Sequence, residues 1–346
     1  MKTELYNKKN KDDLRLELQK EDFKRITISF YRYVNLTDID ILRDELYIEW
    51  RSLNILGRVY IATEGINAQL SIPEKKLDLF INKLYSRTYF NNIEIKKAVE
   101  DGESFYKLII KVKNEIVAYK IPKNQYNMKT VGKHLNYLDF NKAIDNGATI
   151  VDVRNYYEAE VGKFENAIIP DIDRSEDLLP EIKRLLKGQE QNKILMYCTG
   201  GIRCEKASSY LIKNGFKDVN QLDGGIVKYA NEIKKDNIKS KFIGKNFVFD
   251  SRLGENVTND IISNCHQCNH SSNNHTNCEN SACHILFIQC KKCSKKYLGC
   301  CSNKCLSYIQ LDKEEQVDLI KNKNIIFNGT NSDRLRPKLK DFKIND

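Results

Sequence analysis

Nine of the eleven cysteines lie between residues 265 and 305, and none precedes residue 198. This cluster constrains the fold more than any other feature of the sequence. It reads Cys265-x2-Cys268, Cys278-x4-Cys283, Cys290-x2-Cys293 and Cys300-Cys301-x3-Cys305, with His266, His270, His275 and His284 interspersed. Polar stretches such as Ser271-Ser272-Asn273-Asn274 cannot bury enough surface to fold alone, so the segment needs a staple. Two CxxC pairs with twenty-one residues between them resemble a zinc-ribbon arrangement. Nine thiols suffice for two four-ligand sites. The first-choice set is Cys265, Cys268, Cys290 and Cys293. The second draws on Cys278, Cys283, Cys300 or Cys301, and Cys305. Structural zinc is the expectation. A reduced or disulfide-stapled small domain is the alternative, a redox role stays open, and the pairing is not fixed because such knots interleave.

At 346 residues the chain is long enough for two or three domains, and 41% hydrophobic content excludes wholesale disorder. The longest apolar runs, such as Ile285-Leu286-Phe287-Ile288, fall far short of the ~18 residues of a membrane span. Met1 to Arg25 is charged throughout and has no apolar h-region. The expectation is a cytoplasmic protein with no membrane partner. The net charge of +10 is carried by the two flanks, while residues 126–240 are nearly neutral. Basic flanks suit a polyanion, although a Lys-rich composition with no target would look the same.

The pattern divides the chain. Residues 1–24 are a polar extension. From Arg25 the order is strand (Ile26–Tyr31), helix (Ile39–Leu53, with Ile41, Leu42, Leu46, Trp50 and Leu53 on one face), strand (Gly57–Ala62), strand (Asn67–Ile72), helix (Leu77–Leu84) and strand (Phe105–Val112). This β-α-β-β-α-β order predicts a ferredoxin-like, split βαβ domain over 25–125, of the acylphosphatase-like kind, ending in a linker at 113–129. Strands at Thr149–Val153, Lys193–Tyr197 and Val219–Leu222 alternate with helices, predicting a mostly parallel α/β domain over 126–240. The Cys-rich small domain spans 241–310, and 311–346 is a basic polar tail. The chain is thus mixed α/β and α+β, in several domains.

The chemistry centres on Tyr197-Cys198-Thr199-Gly200-Gly201-Ile202-Arg203-Cys204. A strand delivers Cys198 to the carboxyl edge of the sheet, where open α/β folds place ligands. Gly200 and Gly201 let successive N–H groups turn inward as an anion nest, a helix starting near Cys204 adds its dipole, and Arg203 adds a full charge. All three stabilise a thiolate, so Cys198 is expected to be a nucleophile of depressed pKa. The bland alternative is a buried cysteine beside a tight turn.

Asp152-Val153-Arg154, Tyr157-Glu158, the Cys198 loop and Leu222-Asp223-Gly224-Gly225-Ile226 resemble the rhodanese-like domain, in the same order. Four residues separate Cys198 from Arg203, as in rhodanese sulfurtransferases; the related phosphatase loop has five. Thr199 stands where the usual motif has a basic residue, which counts against plain thiosulfate sulfurtransfer. The likeness extends further. Thr63-Glu64-Gly65-Ile66-Asn67-Ala68-Gln69, Cys198 through Lys206, Cys265-His266-Gln267-Cys268 and His275-Thr276-Asn277-Cys278 resemble the bacterial tRNA uridine hydroxylase (TrhO) family over roughly residues 25–310.

That resemblance implies an oxidoreductase that hydroxylates the wobble uridine of tRNA to 5-hydroxyuridine, with molecular oxygen as co-substrate and Cys198 as the essential cysteine. Thiolate addition to C6 would make C5 nucleophilic; alternatively an oxidised Cys198 sulfur delivers the oxygen. Arg203 and the loop amides would hold the developing anion. Cys204 either resolves a sulfenate or packs at the helix start, the second being expected. Asp152 and Arg154 are expected to be a buried supporting pair, and Glu158 to be structural. The Thr63–Gln69 segment is either a plain β-turn or a loop facing RNA or the active site, the first being expected. Tyr31 and Tyr33 either stack on bases or are ordinary strand residues, the second being expected. No GxGxxG or His-His-carboxylate set that would hold a flavin, nicotinamide or iron is present. The implied partner is tRNA, and no stable protein partner is inferred. The competing classes are a persulfide-carrying sulfurtransferase and a silent rhodanese-like binding module.

Overall fold

The alternating run at the head of the first domain forms strand β1 (Arg25–Tyr33), burying Ile28 and Phe30 and turning Ser29 and Tyr31 to the opposite face. In the computed structural model, which describes residues 5–7, 9–321, 327–331, 342 and 344, the polar extension before it carries helix α1 (Lys11–Gln19), capped by the Asn10 side chain. Helix α2 (Ile39–Ser52), strands β2 (Leu56–Ala62) and β3 (Gly65–Pro73), and helix α3 (Leu77–Tyr85) follow. Leu42, Leu46 and Trp50 face the core as predicted, with Leu53 just beyond the helix end. Ile41 does not: one position off the i, i+4, i+8 row, it is 61% exposed. Trp50 meets Phe30 and Phe80 edge-on, with ring centroids 6.4 and 5.5 Å apart.

The sheet order is β4-β1-β3-β2-β5, where β4 is Lys96–Lys97 and β5 is Leu108–Val112. The strand expected to close the split βαβ frame therefore lies elsewhere. The two-residue β4 takes the place beside β1, antiparallel, while β5 adds to the far edge, parallel to β2. A Lys-Lys dipeptide carries no strand signal, and β5 gains five paired positions and buries Leu108 and Ile110. Nor is the 113–129 linker a free tether: Ile116, Val117 and Tyr119 are buried, and the last two join the core of the next domain.

That domain is built from β6 (Lys133–Leu135), α4 (Tyr137–Asp145), β7 (Thr149–Asp152), α5 (Tyr156–Ala159), β8 (Gly162–Phe164), α6 (Ser175–Leu185), β9 (Lys193–Tyr197), α7 (Ile202–Lys213), β10 (Asp218–Leu222) and α8 (Gly225–Lys235). Four strands form a parallel sheet, β6-β10-β9-β7, covered by two apolar clusters. The expected boundary at 240 is crossed. Strand β11 (Phe242–Asn246) pairs antiparallel with β8 and with β12 (Glu255–Asn256), closely enough that a Cβ on Gly162 would lie 2.2 Å from the Lys245 carbonyl.

The Cys-rich segment has one hairpin, β13 (His275–Asn277) with β14 (Leu286–Ile288), then helices α9 (Lys291–Tyr297), α10 (Asn303–Ile309) and α11 (Lys313–Lys321). Leu286 and Ile288 pack with Tyr156, Tyr157 and Phe247, fastening it to the central domain. The predicted polar tail begins with α11; most of the remainder lies outside the described residues.

Candidate active site

Strand β9 is buried from Ile194 to Tyr197, as a central parallel strand must be, and ends on Cys198. The following turn is tight enough that α7 begins at Ile202, two residues before the predicted start. Gly201 is the N-cap at φ +97°, and a Cβ there would lie 2.8 Å from Tyr31 Oη. Gly200 meets nothing within 4 Å, so of the two loop glycines only Gly201 is demanded by geometry. The Gly201 N–H donates to Cys198 Sγ at 3.1 Å. From behind, the first turn of α8 holds the loop: Ile226 and Val227 N–H donate to the Cys198 and Thr199 carbonyls, each at 3.0 Å. Gly225, at φ +67°, lies against the same backbone, where a Cβ would come within 2.6 Å of the Cys198 carbonyl oxygen.

Cys198 and Cys204 are both fully buried. Burial alone would raise the Cys198 pKa. Donation from the Cys204 thiol, the charge of Arg203, and the Arg203 and Gly201 amides outweigh it and bring the value down to about 6. Cys204 moves the opposite way, well above the usual thiol range, through burial and the thiolate it donates to. It packs at the helix start, as expected, and also touches Cys198.

The full charge expected on Arg203 is paired. Its guanidinium donates to both Glu158 oxygens, at 2.6 and 2.8 Å, and to Thr199 Oγ1 at 3.0 Å. A guanidinium this enclosed requires a counter-charge. Glu158 has no exposed surface and accepts the Asn155 N–H, so it is fixed as well. Asp152 and Arg154 form the predicted buried pair, bidentate at 2.8 and 2.6 Å, with Tyr197 Oη donating to Asp152 at 2.7 Å and the Gly162 carbonyl accepting from Arg154 at 2.8 Å.

The first domain closes over this loop. Thr63 and Glu64 turn β2 into β3, and both Glu64 oxygens accept from Lys206 at 3.0 Å while Glu115 accepts from it at 2.8 Å; the Lys206 side chain has no exposed surface. Tyr31 Oη donates to Glu205 at 3.0 Å, Tyr33 Oη to the Ile202 carbonyl at 3.4 Å, and Tyr119 Oη to the Arg203 carbonyl at 3.1 Å. The tyrosines thus serve as the seam between domains. Glu64 and Lys206 each sit inside a segment singled out by sequence, but nothing in one sequence says that the two segments touch. Tyr119 gave no signal at all.

Between the domains lies a cavity of about 400 Å³. Thr199, Gly200 and Arg203 form its floor; Tyr31, Asn67 and Gln69, on the outward face of the first sheet, form its roof; Phe249 borders one side. Cys198 lies beneath the floor with no exposed surface.

The Cys-rich segment gathers its thiols in two groups, Cys265, Cys268, Cys290 and Cys293, and Cys278, Cys283, Cys301 and Cys305, with all sulfurs of a group within 4.8 Å of one another. The groups alternate in pairs along the chain. Cys300, offered with Cys301 for the second group, lies outside it: consecutive side chains diverge, and it is Cys301 Sγ that faces Cys283 at 3.7 Å and Cys305 at 3.6 Å. Cys268 and Cys290 are 3.6 Å apart. Tetrahedral zinc with Zn–S of about 2.3 Å has S···S edges of about 3.8 Å, whereas a disulfide is about 2.0 Å long; all eleven cysteines are free. Donors also reach the sulfurs, including Cys301 N–H to Cys278 at 3.4 Å and Asn280 Nδ2 to Cys305 at 3.3 Å. Both groups fit a tetrahedral thiolate-bound ion. The histidines are not in them; His266 Nε2 lies 2.7 Å from Glu160.

Residues 25–116 match the family described as UPF0176 acylphosphatase like domain, residues 137–232 the Rhodanese-like domain, and residues 243–306 the Rhodanase C-terminal family. A tRNA uridine(34) hydroxylase of Leptospira interrogans is 50% identical over 346 residues, covering 99% of this chain and 94% of that relative. Proteins of the same name from Pectobacterium carotovorum (45% identical, 90% of this chain and 89% of the relative) and Escherichia fergusonii (44%, 94% of each) are similarly close. With identity at this level from end to end, the chain belongs to the tRNA uridine(34) hydroxylase family.

Proposed function

We propose that this chain hydroxylates C5 of uridine 34 in tRNA, with Cys198 activating the base. The observation that carries the reading is a thiol whose pKa is lowered to about 6 beneath a cavity of about 400 Å³. That space suits one flipped-out nucleoside. The thiolate adds to C6, and the ring electron pair moves to C5 and O4. C5 then bonds an electrophilic oxygen, its proton leaves, and the C–S bond breaks to restore the ring double bond and the thiolate. The base loses two electrons. Molecular oxygen places one atom on C5 and releases the other as water, with two further electrons and two protons from an external two-electron donor. Because Cys198 is fully buried, the floor of the cavity must shift for the base to reach it.

The two thiolate groups would each hold one structural zinc, and the basic flanks would meet the tRNA backbone. No helix among the described residues is long and apolar enough to cross a membrane; the proposed setting is the cytoplasm, where tRNA is found. Sulfur transfer from thiosulfate is the less favoured reading, since Arg203, the natural anchor for that anion, is engaged by Glu158.

The test is mass spectrometry of tRNA nucleosides from cells with the gene, without it, and complemented with Cys198→Ser, grown with and without air. 5-Hydroxyuridine is expected to disappear on deletion and without air, and to stay below about one-thousandth of the wild-type level with Cys198→Ser. Full recovery with Cys198→Ser would remove the thiolate from the mechanism. Loss of thiolated nucleosides instead would favour sulfur transfer.

A further inference from the structure

Side chains alternate along β3, so Asn67 and Gln69 share the face opposite buried Ala68 and Leu70. In register, Gln69 lies between Ser29 and Arg58, and Asn67 between Tyr31 and Tyr60. Both amides line the roof of the cavity above the Cys198 loop.

We infer that Gln69, oriented by Asn67, reads the N3–H and O4 edge of the target uracil and rejects cytosine. The inference rests on the proposed reaction at this site.

The amides form a directed chain. Asn67 Nδ2 donates to the Ile116 carbonyl at 3.4 Å, and Gln69 Nε2 donates to Asn67 Oδ1 at 2.6 Å. A backbone carbonyl only accepts. Turning the Asn67 amide over would set two carbonyl oxygens face to face. The Ile116 carbonyl therefore fixes Asn67, and Asn67 fixes which way the Gln69 amide lies. The Gln69 Oε1 and its second Nε2 hydrogen are left over; among the described residues nothing donates to that oxygen.

One acceptor beside one donor is the complement of uracil, whose N3–H donates and whose O4 accepts. Cytosine presents the reverse, an acceptor at N3 and a donor at N4. A free glutamine would turn over and serve either base. Here turning over breaks its bond to Asn67 and opposes two acceptors. Ile116 belongs to the segment that joins the first domain to the second, and its own N–H is held by Glu64 at 2.9 Å. The specificity element is thus anchored to the same seam that closes the domains over Cys198.

The test uses the full-length protein and anticodon stem-loops differing only at position 34, U or C, with binding followed by fluorescence anisotropy. Wild type is expected to favour U34 by roughly 10- to 100-fold, the discrimination typical of a good bidentate pair. Gln69→Leu should bring the ratio to within about twofold. Asn67→Leu, which touches no base in this scheme but frees the Gln69 amide to turn, should also collapse it, whereas a merely structural role for Asn67 would weaken both ligands equally. Thermal melts accompany each variant, and near-isosteric Gln69→Glu replaces Gln69→Leu if the latter unfolds; it too should lose the U34 preference. An unchanged ratio in the Gln69 variant, or no preference in wild type, overturns the inference. Gene-dependent 5-hydroxyuridine in tRNA of aerated cells, which supply the electron donor, is measured in parallel for wild type: its absence sinks the proposed reaction, while its presence with an unaltered ratio sinks only the amide reading.

Discussion

The Cys198 loop and the Cys-rich module solve one problem, stabilising a thiolate, in opposite ways. In the loop a single sulfur is surrounded by donors: the Gly201 N–H at 3.1 Å, the Cys204 thiol, and the charge of Arg203, which Glu158 fixes in place. In the module the sulfurs surround one another in fours, all within 4.8 Å, with Cys268–Cys290, Cys283–Cys301 and Cys301–Cys305 at 3.6–3.7 Å. Four thiolates at that spacing repel and are stable only around a cation. The first arrangement leaves a single sulfur uncommitted; the second gathers eight of the module's nine sulfurs and leaves only Cys300 outside. Whether a cysteine is chemistry or scaffold is decided by its neighbours.

The sharpest break of this comparison is metal removal. The purified protein is expected to carry two zinc ions per chain by elemental analysis. Cys293→Ser and Cys305→Ser should each remove about one, and Cys300→Ser none. Stripping both should cost the module on the order of 10 kcal/mol per site, visible as lost hydrogen-exchange protection over 265–305, while the Cys198 thiolate stays where it was. A metal lost with Cys300→Ser and kept with Cys301→Ser would refute the second ligand set.

The next effect lies on the seam that joins the two halves of the site. Lys206 is fully enclosed between Glu64 and Glu115. Lys206→Met leaves two carboxylates facing each other, and removing one partner of a buried ionic group costs about 3 kcal/mol. Chemical denaturation should register that loss. Undiminished stability would mean the domains are held together by the tyrosines and by the other cross-domain contacts, such as Lys228 with Glu94 and Asn231 with the Lys97 carbonyl, without help from Lys206.

These contrasts also mark what was readable from the chain. The loop was legible because its chemistry is local: strand, cysteine, glycine, arginine and helix are contiguous, and Gly225 lies in a motif of its own. The first thiolate set was legible from its CxxC spacing; the choice of Cys301 over Cys300 was not, because it depends on where the turn before α10 aims two adjacent side chains. The partner of Arg203 was hidden because Glu158 lies on another element, and β5 was misplaced because pattern gives a strand's existence but not which edge it joins. The pairing of Lys206 with Glu64 depends on domain docking, which no periodicity encodes.

The smallest effect tests the company kept by Cys198 most directly. With its pKa lowered to about 6, its reaction with a small alkylating agent, followed at that residue by mass spectrometry, should be level above pH ~7 and fall about tenfold per unit below the midpoint, whereas an ordinary thiol near 8.5 is still rising at pH 8. The sign carries over to folding. The unfolded thiol binds a proton that the folded one has released, so this group stabilises the native state at alkaline pH and that contribution is lost as pH falls toward 6. Cys204→Ala removes one donor and leaves the Gly201 amide and Arg203 in place. A hydrogen bond to a charged group is worth about 1.5 kcal/mol, so the labelling midpoint should move upward, with roughly a tenfold lower thiolate fraction below it. A midpoint that does not move would assign the depressed pKa to the backbone amides and Arg203 alone, and would make Cys204 a packing residue.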